Sequence, residues 1–379
     1  MRTFRIRRRR RIRTGVVHPR EHSRRQGRKA GFEGGYQEGY LRGRADYIVN
    51  TTQAQVSSRP LHVLYVSTGK GYPYSPLDEG IISTFQGMVG QLSVAGPRDP
   101  VAATAVQLRP DLVVALDGMD FPVEQVDEIR AHGIRTALWI TDDPYYTSMM
   151  ADIVTHYDYV FTLEANSVPF YQGIGANAHY LPFAAFPGQF RPIKTRSPLR
   201  QDLTFIGSAY WNRVKSIEPI LPQLIKRNIV ISGLWWDRLS EFRKYAHHIQ
   251  LGRWMDPQET AASYNGTKIV INMHRAHDDE SVNQNSANIT AASPNPRTFE
   301  ICSCGTLQLT DVRDDLARFY TPGEEIETYS SPEEMLDKID YYLSHEQERR
   351  EIALRGLART LRDHTYANRL NQMLSIIFG

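Results

Sequence analysis

Cysteine is scarce in this sequence. Cys302 and Cys304 are the two cysteines among 379 residues. Standing one residue apart, they cannot make a disulfide framework. No His or Cys cluster around them completes a zinc site, so no metal is expected. A reducing, cytoplasmic setting fits that usage. Long hydrophobic runs are missing as well. No stretch of 18 apolar residues occurs, which excludes a transmembrane helix. Acid is almost absent from residues 1–29, which hold 13 of the 45 Lys and Arg residues against one carboxylate, Glu21. No apolar segment follows those arginines, so they do not read as a secretory signal.

What is present is ordinary for a globular protein: 41% hydrophobic and 23% charged residues. The length suits two domains with proper cores. The net charge of +3 divides into a polybasic tail at +12 and an acidic body at −9. Arg7 to Arg11 are unbroken, and such like charges repel. Residues 1–29 therefore read as a disordered tail. It is a solvated arm, an attachment to an anionic surface, or a sequence-independent nucleic-acid binder. Few aromatics interleave the charges, so no specific nucleic acid is expected.

Residues 30–60 read as a helical arm and polar linker. Gly31, Gly35, Gly39 and Gly43 recur every four residues, beside a row of Phe32, Tyr36 and Tyr40. Both rows are helical neighbours. Each glycine costs a helix roughly 1 kcal/mol relative to alanine. The arm would then persist by docking on the body or on a second copy, a homodimer through residues 31–47. The alternative is a flexible Gly/Tyr-rich linker.

From Leu61 onward, apolar runs alternate with helical patterns. That predicts α/β architecture with parallel sheets. The first domain, 61–185, has strands at 61–66, 109–116, 134–140, 157–161 and 179–182, and a helix near 78–90. Ligands bind beyond the carboxyl ends of such strands. Gly69 and Gly71 follow the first strand, in neither a G-x-G-x-x-G nor a P-loop pattern. Asp117 follows the second. Asp142 and Asp143 follow the third and read as a paired base or acceptor grip. The bland alternative is that one of them caps a helix.

The pattern restarts in a second domain, 198–363. Gly207 and Ser208 lead into a helix carrying Arg213 and Lys215, a plausible anion site. Trp235 and Trp236 are core or lid. His274 ends another strand and reads as a phosphate or sugar contact, or as a structural histidine. Residues 278–293 are too polar to pack and are expected to form a mobile loop over the site. Asn295–Pro296 then opens a helix with Arg297 and Glu300 on one face, stopped by Gly305. Arg297 suits a phosphate and Glu300 a ribose diol. An ordinary surface ion pair is the alternative.

The segment R-T-F-E-I-C-S-C-G-T-L-Q-L-T-D, with F-I-G-S-A-Y-W-N-R upstream and H-T-Y-A-N-R downstream, resembles the glycosyltransferase group 1 C-terminal domain. More narrowly, the chain from Leu61 looks like the CgeB-type spore maturation protein family, with T-D-D-P-Y similar to that family's N-terminal domain. The resemblance implies a GT-B fold, two Rossmann-like domains facing across a cleft. It implies that residues 364–379 form a helix crossing back to the first domain. By the same resemblance Glu300 binds ribose, Arg213, Lys215 and Arg297 contact diphosphate, and Gly305 allows close packing behind the nucleotide. The implied activity is metal-independent transfer from a nucleotide-diphosphate sugar, UDP foremost, to a glycan or protein acceptor of the cell envelope or spore surface. The enzyme would be cytoplasmic or peripheral at such a surface, with no cofactor. The alternative is a non-catalytic surface protein with a degenerate GT-B body. One position departs from the pattern: Ala292 stands where the first acid of a paired-glutamate motif belongs.

Overall fold

The computed structural model describes residues 19–52, 54, 56–195 and 199–379. Two compact units divide at Arg44. One helix, Pro19–Thr51, contains the arm. It begins well before residue 30, so residues 19–29 are helical rather than disordered. Beyond Arg13 the basic residues fall singly or in adjacent pairs, Arg24–Arg25 and Arg28–Lys29, parted by neutral residues and Glu21, which dilutes their repulsion relative to Arg7–Arg11. Lys29 Nζ lies 3.9 Å from Glu33. Phe32, Tyr36 and Tyr40 are exposed, and the space beside Gly31, Gly35, Gly39 and Gly43 is open. Residues 1–18, with the five adjacent arginines, lie outside the described residues.

The body holds two six-stranded sheets. The first contains β1 Arg59–Val66, β2 Val89–Ala95, β3 Leu112–Leu116, β4 Arg135–Trp139, β5 Tyr159–Thr162 and β6 Ala178–Tyr180, in the order β2-β1-β3-β4-β5-β6. The second contains β7 Gln201–Ile206, β8 Ile229–Gly233, β9 Ile249–Leu251, β10 Thr267–Asn272, β11 Leu307–Asp311 and β12 Glu327–Tyr329, in the order β12-β11-β10-β7-β8-β9. Every pairing is parallel. Parallel strands are covered on both faces, which is why β3 is buried at every residue of Leu112-Val-Val-Ala-Leu116. The fold is GT-B: two Rossmann-like domains, each with its own doubly wound sheet.

Strand order reverses between β1 and β3 in the first sheet, and between β7 and β10 in the second. Those switch points open a crevice at the carboxyl ends of the strands. Two strands escape the sequence pattern. The helix placed near 78–90 is Ser75–Gln86, and β2 follows it. With Gly90, Gln91 and Ser93, β2 is an edge strand lacking an apolar run, and Val94 is half exposed. β9 has three residues.

The last helix, Tyr366–Phe378, returns to the first domain. Tyr366, Leu370, Met373, Leu374 and Ile377 bury against Val63, Phe85 and Trp139 in the core of the first sheet. Ala185 donates to His364 O at 3.0 Å, and Tyr366 donates to Ala185 O at 3.1 Å. Arg369 Nε donates to Pro182 O at 2.9 Å. Burial of such an apolar face is what fixes a short helix.

Candidate active site

A cavity of about 430 Å³ lies between the two domains, within the range of small-molecule sites. Its second-domain wall is built at the switch point. Gly207 and Ser208 follow β7, and His274 and Arg275 follow β10. Gly207 must be small: a Cβ there would meet Arg213 Nη1 at 2.8 Å. Arg213 is buried, donating to Ser208 O at 2.9 Å and to Met273 O at 2.5 Å. Burial lowers its pKa to about 10, leaving it charged at neutral pH. Its Nε has no protein partner, nor has Arg275 Nε. Two unpaired buried guanidinium donors around one cavity suit an acceptor-rich ligand.

The Pro296–Ser303 helix adds the next layer. Asn295 caps it, its side chain accepting from Thr298 N. Arg297 and Glu300 both line the cavity. Burial pushes the Glu300 carboxyl up to about 7, against the opposing pull of the Arg297 charge. The group therefore titrates near neutrality, and a diol donating to it would favour its charged form.

Of the two places expected for His274, the geometry is that of the structural histidine. It is buried, with Nδ1 2.6 Å from Asp311 Oδ1, while Nε2 accepts from Asn295 N at 2.9 Å. An accepting Nε2 leaves the proton on Nδ1. Both nitrogens are thus spent inside the protein. His274 ties β10 and β11 to the cap of the Pro296–Ser303 helix, and offers no free nitrogen to phosphate or sugar.

On the first-domain wall the aspartate pair divides. Asp142 lines the cavity and accepts from the Tyr74 hydroxyl at 2.6 Å. Burial raises its pKa, and Asp117 adds to the rise. Asp143 is engaged within its own domain, accepting from Thr162 Oγ1 at 2.5 Å and Tyr171 OH at 2.8 Å. Both line the cavity, but Asp143 is fully buried and organises the loop, while half-buried Asp142 faces the ligand space. Burial lifts Asp143 to about 6.

Other expected residues sit elsewhere. Lys215 is exposed and outside the cavity lining, because two residues along the Trp211–Ile217 helix turn it away from Arg213. Gly305 is likewise off the cavity. Its φ of 68° explains the glycine, while a Cβ would make only ordinary contacts, at 3.5 Å with Leu357. Gly69 is required by Pro97, whose Cγ would lie 2.5 Å from a Cβ. Gly71 has open space beside it and starts the turn into Ser75–Gln86. Asp117 lies behind the cavity, bonded to Lys70 Nζ at 2.5 Å and to Thr141 Oγ1 at 2.6 Å.

Residues 278–293 are bound across the cleft rather than free over it. Gln284 donates to Tyr145 O at 2.7 Å and accepts from Ser148 N at 3.0 Å. Ser148 and Ser286 hydroxyls meet at 2.7 Å, and Asn166 Nδ2 donates to Thr290 Oγ1 at 2.8 Å. Polar side chains here find partners on the facing domain, which a count of polarity misses. Glu164 closes the same seam through the backbone of Ala292 and Ser293.

Sequence reasoning missed Tyr74, Glu164, Arg253 and Arg275. Arg275 lies over the rings of Tyr145, Tyr210 and Tyr146 at 4.5, 4.6 and 5.5 Å. Its position directly after His274, at a strand end, was the available signal.

Residues 213–375 match the family model described as Glycosyl transferase-like. Over 311 residues the chain is 28% identical to Spore protein CgeB of Bacillus subtilis, covering 81% of this chain and 95% of that protein. Among solved structures it resembles sucrose-phosphate synthase from Thermosynechococcus elongatus, with TM-score 0.58 and 10% identity, over 84% of this chain and 99% of that one. It also resembles HepE of Anabaena in complex with UDP-glucose, with TM-score 0.56 and 10% identity, over 83% and 100%. The resemblance read from the sequence is met by these findings: residues 213–375 are similar to a glycosyl transferase-like family, and the fold is that of the GT-B neighbours. Among the described residues no helix is long and apolar enough to cross a membrane.

Proposed function

We propose that this chain transfers a sugar from a nucleotide-diphosphate donor, UDP foremost, to a hydroxyl acceptor on a cell-envelope or spore-surface glycan or glycoprotein. The observation that carries this is one cavity with arginines and Glu300 on its glycosyl transferase-like wall, facing Asp142 on the other. Glu300 accepts from the ribose diol, and Arg213, Arg275 and Arg297 surround the diphosphate. Those charges, with the amino end of the Pro296–Ser303 helix, stabilise the leaving diphosphate without a metal.

Asp142 is the candidate base. Its raised pKa suits proton uptake from a hydroxyl. The acceptor oxygen forms a bond to the sugar's anomeric carbon. The bond from that carbon to the diphosphate oxygen breaks, the diphosphate leaves with the electron pair, and the hydroxyl proton passes to Asp142. The polybasic residues 1–29 attach the enzyme to an anionic surface, and the arm at 31–47 pairs two copies.

Calorimetry with UDP-, GDP-, dTDP- and CDP-sugars tests the reading. One of these should bind, and Asp142→Asn should keep that binding while losing at least about 100-fold in transfer rate. Absence of binding by every nucleotide would overturn it.

A further inference from the structure

We infer that the acceptor is an uncharged glycoside, not a phosphate-bearing lipid, sugar or polymer. This rests on the glycosyl-transfer reading above, and it comes from how charge is divided across the cavity. Arg213, Arg253, Arg275 and Arg297 line it, and all four belong to the second domain. The first domain contributes no Lys or Arg to the lining. Its ionisable groups there, tyrosines aside, are the carboxyls Asp142, Asp143 and Glu164.

The first-domain cation beside Tyr74 is already engaged. Lys70 Nζ lies 2.5 Å from Asp117 Oδ2 and 4.9 Å from the Tyr74 ring centre. The second-domain cation that reaches furthest toward this wall is Arg275. It is boxed among three tyrosine rings and donates to Val282 O at 2.6 Å. Arg253 is paired with Glu259 at 3.0 Å. A phosphate brought to the first-domain wall would therefore meet Asp142, and the two cations that act on that carboxyl, Arg275 and Lys70, are already committed, one to the diphosphate and Val282 O and the other to Asp117; like charges in contact then disfavour the ligand.

What the wall offers instead is rings. Tyr72, Tyr74, Tyr146 and Phe186 are all at least partly exposed and line the cavity. Tyr72 also meets Trp254 of the second domain edge-on, centroids 6.4 Å apart. Flat, weakly polar faces with one carboxylate among them match a pyranose ring. Its C–H face lies on the aromatic surface and one hydroxyl reaches Asp142.

Matched pairs of ligands decide the matter. Methyl glucoside, methyl galactoside and methyl N-acetylglucosaminide are titrated against the full chain saturated with its nucleotide, beside the 6-phosphate of each. At least one neutral glycoside should bind, and its 6-phosphate should bind at least tenfold more weakly. Tyr72→Lys, placing a cation on the exposed rim, should shrink that gap to threefold or less. A 6-phosphate that binds as well as its neutral partner overturns the inference, as does failure of every neutral glycoside to bind. If no nucleotide saturates the chain, the donor reading has failed first, which is a separate result.

Discussion

Glu164 Oε2 lies 3.1 Å from the backbone nitrogen of Ala292, and the same oxygen accepts from Ser293 N at 3.0 Å. One carboxylate of the first domain thus holds two consecutive amides of the second, immediately before the cap of the Pro296–Ser303 helix. Ser293 answers by accepting from Ala165 N at 3.0 Å.

Glu164→Ala should therefore loosen the closed arrangement of the domains more than it lowers overall stability. Two buried amides lose their acceptor, at a cost of about 1–3 kcal/mol each before water replaces it. Small-angle scattering should report a larger radius of gyration for the variant without nucleotide. An unchanged radius, with unchanged nucleotide affinity, would show that the seam at residues 284–290 holds the domains without Glu164.

Nucleotide affinity should rise with pH between about 6 and 8. Glu300 titrates near 7 because it is buried. A ribose diol donates hydrogen bonds and binds the ionised carboxylate better, so affinity is weak below the pKa and levels above it. Glu300→Gln should bind at least about tenfold more weakly at pH 8 and lose the pH dependence. Calorimetry at four pH values measures both, and a parallel pH curve in the variant would remove Glu300 from the ribose.

Much of this was legible in the sequence, and the remainder was hidden for physical reasons. Apolar runs exposed the central strands, since parallel strands bury both faces. β2 stayed hidden because an edge strand need not be apolar. Arg297 and Glu300 were visible from helical spacing after Asn295. Asp142 and Asp143 were inseparable because adjacent residues share every sequence feature except direction. The dual engagement of His274 depends on Asp311 and Asn295, 37 and 21 positions away, and no local pattern carries that. Glu164 had no motif at all: its partners are two backbone amides.

Gly233→Ala should disable the site without touching any ligand-facing side chain. The φ of Gly233 is 147°, and a Cβ there would lie 2.2 Å from Gly207 O and 2.5 Å from Gly207 C. Backbone cannot yield as a side chain can, so the substitution should cost about 3 kcal/mol or more. Gly207 and Ser208 would shift, and Arg213 would lose the carbonyl that aims it. Gly173→Ala is the control, with nothing near its Cβ, and should stay within about 0.5 kcal/mol of the parent. Chemical denaturation of both variants compares them directly.

Asp311 should make the protein acid-sensitive in a narrow window. Although its partial burial opposes this, its carboxyl is held down to about 2 by His274 and Arg313. Arg313 Nη2 lies 3.5 Å from Oδ2, and His274 donates from both its backbone nitrogen and its ring. A carboxylate depressed in the folded state stabilises the fold above its unfolded value, about 4. That contribution drains away as pH falls from there through about 2. Asp311→Asn should lower stability at pH 7 by about 1–3 kcal/mol and flatten the loss between pH 4 and 2. Because His274 would lose the partner that fixes its tautomer, Asn295 N would lose a secure acceptor, and nucleotide affinity should fall although Asp311 touches no ligand. Thermal unfolding across pH 2 to 7, beside calorimetry at pH 7, separates the two effects. A variant with parental stability and parental affinity would mean that Asn295 alone holds the helix start in place.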